Sequence, residues 1–257
     1  MQPLKPVSPG ARLALGAGFF AVFLGAWAFV TYGGHVPALF LASPGKTLAA
    51  GWSLLTEYDF LGDIAVTVYR VVGGFLIAAV MAVPLGLLMG AFKPLEAFFE
   101  PFFSFCRYLP ASAFIPLLIL WAGVGEAQKL SVIVIGSVFQ LVIMVAAVAG
   151  ATRPDLVEAA TTLGSRPVSI LRRVVIPAAA PQIAETLRLV LGWAWTYVIV
   201  AELIGASSGI GHMIMDSQRL LDTGQMIFGI VVIGVIGLVT DVLVKALNRW
   251  LFPWAVL

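Results

Sequence analysis

The chain has 257 residues, of which 61% are hydrophobic and 11% charged, and its formal net charge is +2. A soluble domain carries roughly 25% charged residues, so this composition excludes an ordinary soluble globular protein and indicates a membrane protein. The single cysteine, Cys106, excludes an internal disulfide and a zinc site made of several cysteines.

The N-terminal 30 residues resemble a signal peptide because a basic start precedes an apolar run. A signal peptide has an apolar core of only about 7–15 residues, whereas this run continues from Leu13 to Val30. We therefore predict a retained first helix. After it, residues 43–63 predict an amphipathic helix on the outer face, since Leu48, Trp52 and Leu55 form one apolar stripe.

Further along, long uncharged runs separate Arg70 from Lys93, Lys129 from Arg153, and Asp222 from Asp241. A spanning helix needs about 20 predominantly apolar residues. With the apolar stretches 15–31, 101–121 and 183–204, these runs predict six spans and an all-α polytopic membrane protein. The four-residue spacing of Gly86 and Gly90 predicts that their span approaches a neighbouring helix closely. We expect one transmembrane domain over 1–257, with the first span and the outer segment in 1–60 and a five-span core in 61–257.

Basic residues predict the orientation, because short cytoplasmic loops collect Lys and Arg. If both termini face the cytoplasm, eleven of the fifteen Lys and Arg residues fall on inner segments. Arg107, within the predicted stretch 101–121, is counted on the inner side in this scheme.

One polar segment, 152–177, interrupts the apolar chain. Thr-Arg-Pro at 152–154 predicts a helix start with Thr152 as N-cap, and Ser-Arg-Pro at 165–167 predicts a second start. Gly164 suits the left-handed turn that ends a helix, and the second helix is expected to stop at Pro177. Two short, rigid helices could insert into a groove of a partner protein or lie on lipid headgroups, and the residues alone favour neither.

The segment contains a spaced motif: Glu-Ala-Ala, three residues, Gly, nine residues, an aliphatic, one residue, an aliphatic and Pro. It is formed here by Glu158, Ala159, Ala160, Gly164, Val174, Ile176 and Pro177. This pattern resembles the signature loop of ATP-binding-cassette (ABC) importer permeases. The stretches Ile115–Leu130 and Ile199–Ile214 look like the nitrate, sulfonate, taurine and bicarbonate branch of those permeases.

The resemblance implies a type I ABC importer (MetI-like) permease fold with six transmembrane helices, in a bacterial cytoplasmic (inner) membrane. Segment 152–177 would be the coupling helix that docks into a cytoplasmic ATPase. Glu158 would meet a basic group of the ATPase, Ala159 and Ala160 would allow close packing, and Gly164 would set the turn. The cargo would be a small anion, with taurine or an alkanesulfonate before nitrate or bicarbonate.

The implied partners are two ATPase copies, a second permease copy forming a homodimer, an external periplasmic or lipid-anchored binding protein, and the lipid bilayer. No nucleic-acid partner is expected. The chain has no Gly-x-x-x-x-Gly-Lys-Ser/Thr phosphate loop, so ATP and Mg²⁺ would bind the ATPase subunit. We therefore expect no enzyme activity, no cofactor and no metal site in this chain.

Three residues are candidates for the pathway or a gate, each with a structural alternative. Arg70 could bind an oxyanion or extend to the membrane surface. Glu202 could lie at an interface or gate, or be a buried acid bonded to a loop. Trp195 could line the pathway, although packing is the ordinary role of a tryptophan in a helix.

Two other function classes remain as alternatives. An ATP-independent secondary transporter would leave segment 152–177 without a purpose, and the two halves show no duplicated pattern. An intramembrane serine protease is raised by Gly-Ala-Ser-Ser-Gly at 205–209, with Ser207 as nucleophile. That motif requires a preceding strand and a histidine base, and neither is predicted.

Overall fold

The computed structural model describes residues 7–255, which contain helices and connecting turns and no strand. The helices are α1 (Pro9–Tyr32), α2 (Pro44–Glu57), α3 (Phe60–Ala91), α4 (Lys93–Cys106), a 3₁₀ turn (Ala111–Phe114), α5 (Ile115–Ala122), α6 (Glu126–Gly150), α7 (Pro154–Thr162), α8 (Pro167–Ile170), a π turn (Leu171–Val175), α9 (Ile176–Leu203), α10 (Ile210–Arg219) and α11 (Thr223–Leu251).

Five helices in the described part are long and apolar enough to cross a membrane: α1, α3, α6, the continuous helix Pro167–Leu203, and α11. A sixth span is possible if α4 and the segment Ala111–Ala122 are counted together, but these bend by 82°. Five of the six predicted stretches are therefore confirmed as long apolar helices, whereas the sixth, 101–121, is a bent pair and its predicted continuity is wrong. Pro110 explains the break, since the residue before a proline is disfavoured in the helical conformation.

The chain divides into two compact units. The first comprises residues up to Phe60 together with Met213–Val231. Within it, Ser43 accepts a hydrogen bond from the N–H of Lys46 and caps α2, as expected for a helix in this segment. The predicted stripe is exposed, with Leu48 at 69% and Trp52 at 71%, so this face of α2 is available to lipid.

The second unit comprises Leu61–His212 and the chain from Val232 onward. Its core contains fully buried aliphatic residues from α3, α6 and α9, among them Val71, Ile133, Leu141 and Val190. At Gly86, an added Cβ would lie 2.8 Å from the carbonyl oxygen of Val142. The small residues of α3 therefore let it approach the α6 backbone closely, as the sequence predicts.

Pro177 does not end a helix. The second short helix runs through the π turn and on into α9, so Pro167–Leu203 is continuous. In the π turn, the N–H of Ile176 bonds to the carbonyl of Leu171, five residues back. This wider turn shifts the backbone hydrogen-bond pattern at the position where Pro177 has no N–H to donate. The helix therefore continues beyond the proline.

Candidate functional site

The predicted coupling segment, 152–177, presents α7 at the surface. No residue of α7 is buried. Glu158, Ala159 and Gly164 are exposed and Ala160 is half-buried, while Pro177 is exposed at the start of α9. The structure thus places the first four motif residues together on one helix and its terminal turn, and places Pro177 on the following helix.

The start of α7 differs from the prediction. Arg153 is the N-cap and makes no side-chain cap bond, while the hydroxyl of Thr152 is buried without a hydrogen-bond partner. Arg153 instead forms an ion pair with Asp155 at 2.5 Å. Thr152 is therefore not the N-cap, because the guanidinium already holds the acid that a capping box would use.

The end of α7 agrees with the prediction. Gly164 has φ of +78°, the left-handed region in which side chains with a Cβ are strained. The N–H of Ser165 bonds to the carbonyl of Ala160, and the N–H of Leu163 bonds to that of Ala159. These bonds satisfy carbonyls at the end of the helix and fix the turn.

Two acids lie on α7, and their surroundings differ. Hydrogen bonds from Arg153 lower the pKa of the Asp155 carboxyl below its ordinary value. Glu158 forms no ion pair with any residue in the described range 7–255. Of the two, Glu158 is thus the acid available to a basic group on another protein.

A cavity of about 510 Å³ separates α7 from the adjoining ends of α3 and α6. Glu158 lines it together with Gly90 and Gly150. Leu163, at the tip beside Gly164, is 85% exposed. The sequence-based prediction does not identify Leu163 as a functional residue. Its position just before the glycine that ends the helix was the available signal for its exposure.

Arg70, in the first half of α3, belongs to a network of ion pairs and hydrogen bonds. Its side chain is 1% exposed and forms ion pairs with Glu126 at 2.5 Å and with Glu202 at 2.7 Å. The remaining bonds go to the carbonyl and the hydroxyl of Ser208, at 2.7 and 3.3 Å. We call Thr67, Arg70, Glu126, Glu202 and Ser208 the Arg70 network.

Glu202 is satisfied on both carboxylate oxygens. Oε1 accepts bonds from Thr67 and Arg70, and Oε2 accepts the N–H of Gly211 at 2.8 Å in the first turn of α10. The hydroxyl of Thr67 also accepts the N–H of Ile210 at 2.9 Å. The acid thus joins α3, α9 and the start of α10, because a carboxylate at a helix N-terminus satisfies otherwise unpaired N–H groups.

These contacts favour the structural alternatives for the three pathway candidates. A guanidinium has five N–H donors, and all five of Arg70 are used within the protein. Glu202 is the loop-bonded buried acid of the second alternative. Trp195 is 4% exposed in the core, whereas Trp193, two residues earlier, is 43% exposed.

The loop 205–209 follows α9 directly, so the Gly-x-Ser-x-Gly motif lacks the strand that a nucleophile elbow requires. Ser208 accepts a hydrogen bond from Arg70, and the N–H of Gly209 donates to Asp63 at 2.6 Å. The loop is therefore held by structural bonds, which argues against the protease alternative.

Together the helices define a multi-pass α-helical membrane protein whose exposed α7 is suited to docking. A family model described as "Binding-protein-dependent transport system inner membrane component" matches residues 82–253. The chain belongs to this family and is a permease subunit of an ABC importer, which is a transport component and not itself an enzyme.

Individual relatives agree. The chain is 36% identical to an ABC transporter permease protein of Brucella melitensis over 91% of this chain and 94% of that protein. It is 30% identical to the taurine transport system permease protein TauC of Escherichia coli, over 95% of this chain and 90% of that one. Its fold is similar to a chain of the MetNI methionine ABC transporter in an inward-facing conformation, with a TM-score of 0.59, 18% identity, and coverage of 70% and 92%. The MetI-like permease fold is thereby confirmed.

Proposed function

We propose that this permease imports a small anion at the expense of ATP that a separate cytoplasmic ATPase hydrolyses. Segment 152–177 is the dock for that ATPase, and both termini lie on the same cytoplasmic side. Two permease copies and two ATPase copies form the transporter, and an external binding protein delivers the solute.

The observation that carries this proposal is the state of α7. It is exposed along its length, its terminal turn is fixed by Gly164, and Glu158 has no basic partner in the described part of the chain. Leu163 adds an exposed apolar tip. An apolar anchor next to an unpaired charge is typical of a surface that is covered by a protein. It supports docking over lying on anionic headgroups, which Glu158 would oppose although Arg166, Arg172 and Arg173 are also exposed in this segment.

For the solute we propose a short alkanesulfonate such as taurine, with nitrate or bicarbonate as the other outcomes of the test. The 30% identity to a taurine permease over nearly the full length supports this choice. A ligand screen by thermal shift on the partner binding protein decides among these anions, since that protein selects the cargo.

Glu158→Arg reverses the charge at the dock, so we expect ATP-dependent uptake to fall to background while the protein remains in the membrane. The measurement is co-purification of the ATPase from membranes, together with uptake in reconstituted vesicles. Asp155→Asn is the matched control, because Asp155 is equally on α7 but is paired within the chain. A Glu158→Arg protein that retains wild-type ATPase yield and uptake would contradict the docking role.

A further inference from the structure

A small cavity lies where the span containing α4 and α5 is broken. It has a volume of about 190 Å³, and the break residues from Cys106 to Ala111 form one wall. The facing side chains on α6 and α9 include Gln140, Trp193 and Tyr197. Drug-sized ligand pockets measure about 300–1,000 Å³, so this cavity suits a solute of only a few heavy atoms.

The cavity lies at the middle of α6 and in the second half of α9, where Trp193 and Tyr197 are about 9–15 Å from the end of the helix. Its α6 residues are Ile135, Gly136, Phe139 and Gln140, the tenth to the fifteenth of the 25 residues of that helix. At a rise of about 1.5 Å per residue, the wall is roughly 14–15 Å from either end of α6. Arg107 is therefore level with the middle of α6, whereas the orientation scheme counts it with the inner segments.

Non-helical backbone at such depth is tolerated where it is buried in protein or lines a water-filled space. Arg107 lies in the break and is exposed, with its guanidinium 4.9 Å from the ring centre of Tyr108. A cation at mid-depth of a membrane is costly, and such residues generally face a polar pathway.

The guanidinium of Arg107 is nearly unused within the chain. Only one of its five N–H donors is satisfied, by the hydroxyl of Tyr108 at 3.0 Å. No carboxylate in residues 7–255 forms an ion pair with it. Four donors and a full positive charge are thus available at the cavity.

We propose that Arg107 binds the anionic head of the transported solute at this cavity. The assignment rests on the proposed import function. Planar guanidinium forks match oxyanions in bidentate geometry, as in a sulfonate, nitrate or bicarbonate. Trp193 and Tyr197 form a wall that accepts a short alkyl group, and the amide of Gln140 supplies a neutral polar contact.

The first test uses the complete transporter with its ATPase and binding protein in vesicles. For Arg107→Gln we expect taurine uptake at limiting concentration to fall roughly tenfold or more, because charge-assisted hydrogen bonds are lost. ATP hydrolysis stimulated by the loaded binding protein should persist, since α7 is untouched. Arg107→Lys should give intermediate uptake, because it keeps the charge but not the fork.

Arg249→Gln is the matched control, because this exposed arginine in the last turn of α11 lies outside segment 152–177 and does not line the cavity. Uptake by Arg107→Gln equal to wild type for taurine, nitrate and bicarbonate would overturn the site. Failure of the wild type to take up any of these anions with ATP would instead contradict the proposed function, and the site would then be decided by the second test.

The second test needs no transport. Cys106 is the only cysteine of the chain; it is one of the residues that line the cavity and is 6% exposed. We expect anionic sulfonatoethyl methanethiosulfonate to modify it roughly tenfold faster than cationic trimethylammonioethyl methanethiosulfonate, because Arg107 concentrates anions. Taurine should slow the anionic reagent, and Arg107→Gln should abolish the difference. Equal rates for the two reagents in the wild type, or a difference that persists in Arg107→Gln, would overturn the proposal.

Discussion

Two arginines in the same compact unit, one buried and one exposed, illustrate how differently this residue can be used. Arg70 is 1% exposed, and each of its five donors has a partner within the protein. Arg107 is exposed beside a cavity and uses one donor. The number of unsatisfied donors, rather than depth in the membrane, therefore separates a residue that holds the fold from one that can bind a solute.

The two arginines also differ in the carboxylates near them. Arg70 lies between Glu126 and Glu202, so its charge is already balanced before any anion arrives. Adding an anionic solute there would place a third negative group against one cation. At Arg107 no such competitor lies within ion-pair distance in the described residues, and an incoming anion would provide the missing charge.

The largest effect is expected for Arg70→Met. Removing one partner of a buried ion pair leaves an uncompensated charge and costs about 3–5 kcal/mol. Glu202, with its side chain fully buried, would be left in that state. We expect a large loss of folded protein and unfolding at much lower denaturant, measured by fluorescence-detected size exclusion and chemical denaturation in detergent.

The double variant Arg70→Met with Glu202→Gln is the control for this change. It removes the buried charge along with its partner, so part of the lost stability should return. If Arg70→Met alone unfolds at the same denaturant concentration as the wild type, the ion pairs of Arg70 do not stabilise the fold.

Arg107→Gln should have the smallest effect on stability. The replaced guanidinium gives up one hydrogen bond and no ion pair, and exposed substitutions of this kind lie usually within about 0.5 kcal/mol. The denaturation midpoint should therefore match that of the wild type. A loss as large as that of Arg70→Met would show that Arg107 is also part of the structural framework.

Local signals in the sequence were sufficient for much of the fold. Uncharged runs predicted the spans, because the hydrocarbon layer excludes charge. Gly164 predicted the turn after α7, because glycine readily adopts a positive φ, and the observed φ is +78°. The spacing of Gly86 and Gly90 predicted close packing of α3, which the contacts with α6 confirm. Each of these depends on neighbours within a few residues.

Long-range pairing could not be predicted in the same way. Glu126 and Glu202 are 56 and 132 positions from Arg70, so the sequence could not show that this arginine is fully satisfied. The same limitation applies to Trp195, which the structure buries in the core while it exposes Trp193, since helix rotation is decided by packing. Pro177 also misled, because a π turn lets the helix continue.

Import of a solute by this permease, driven by a separate ATPase, can be measured directly. Its most direct measurement is uptake of labelled taurine, nitrate and bicarbonate into vesicles containing the reconstituted permease, with the ATPase, the binding protein and ATP each omitted in turn. Accumulation of at least one anion only when all three are present is the predicted result. Accumulation without ATP, driven by an ion gradient across the same vesicles, would contradict ATP-driven import and identify a secondary transporter.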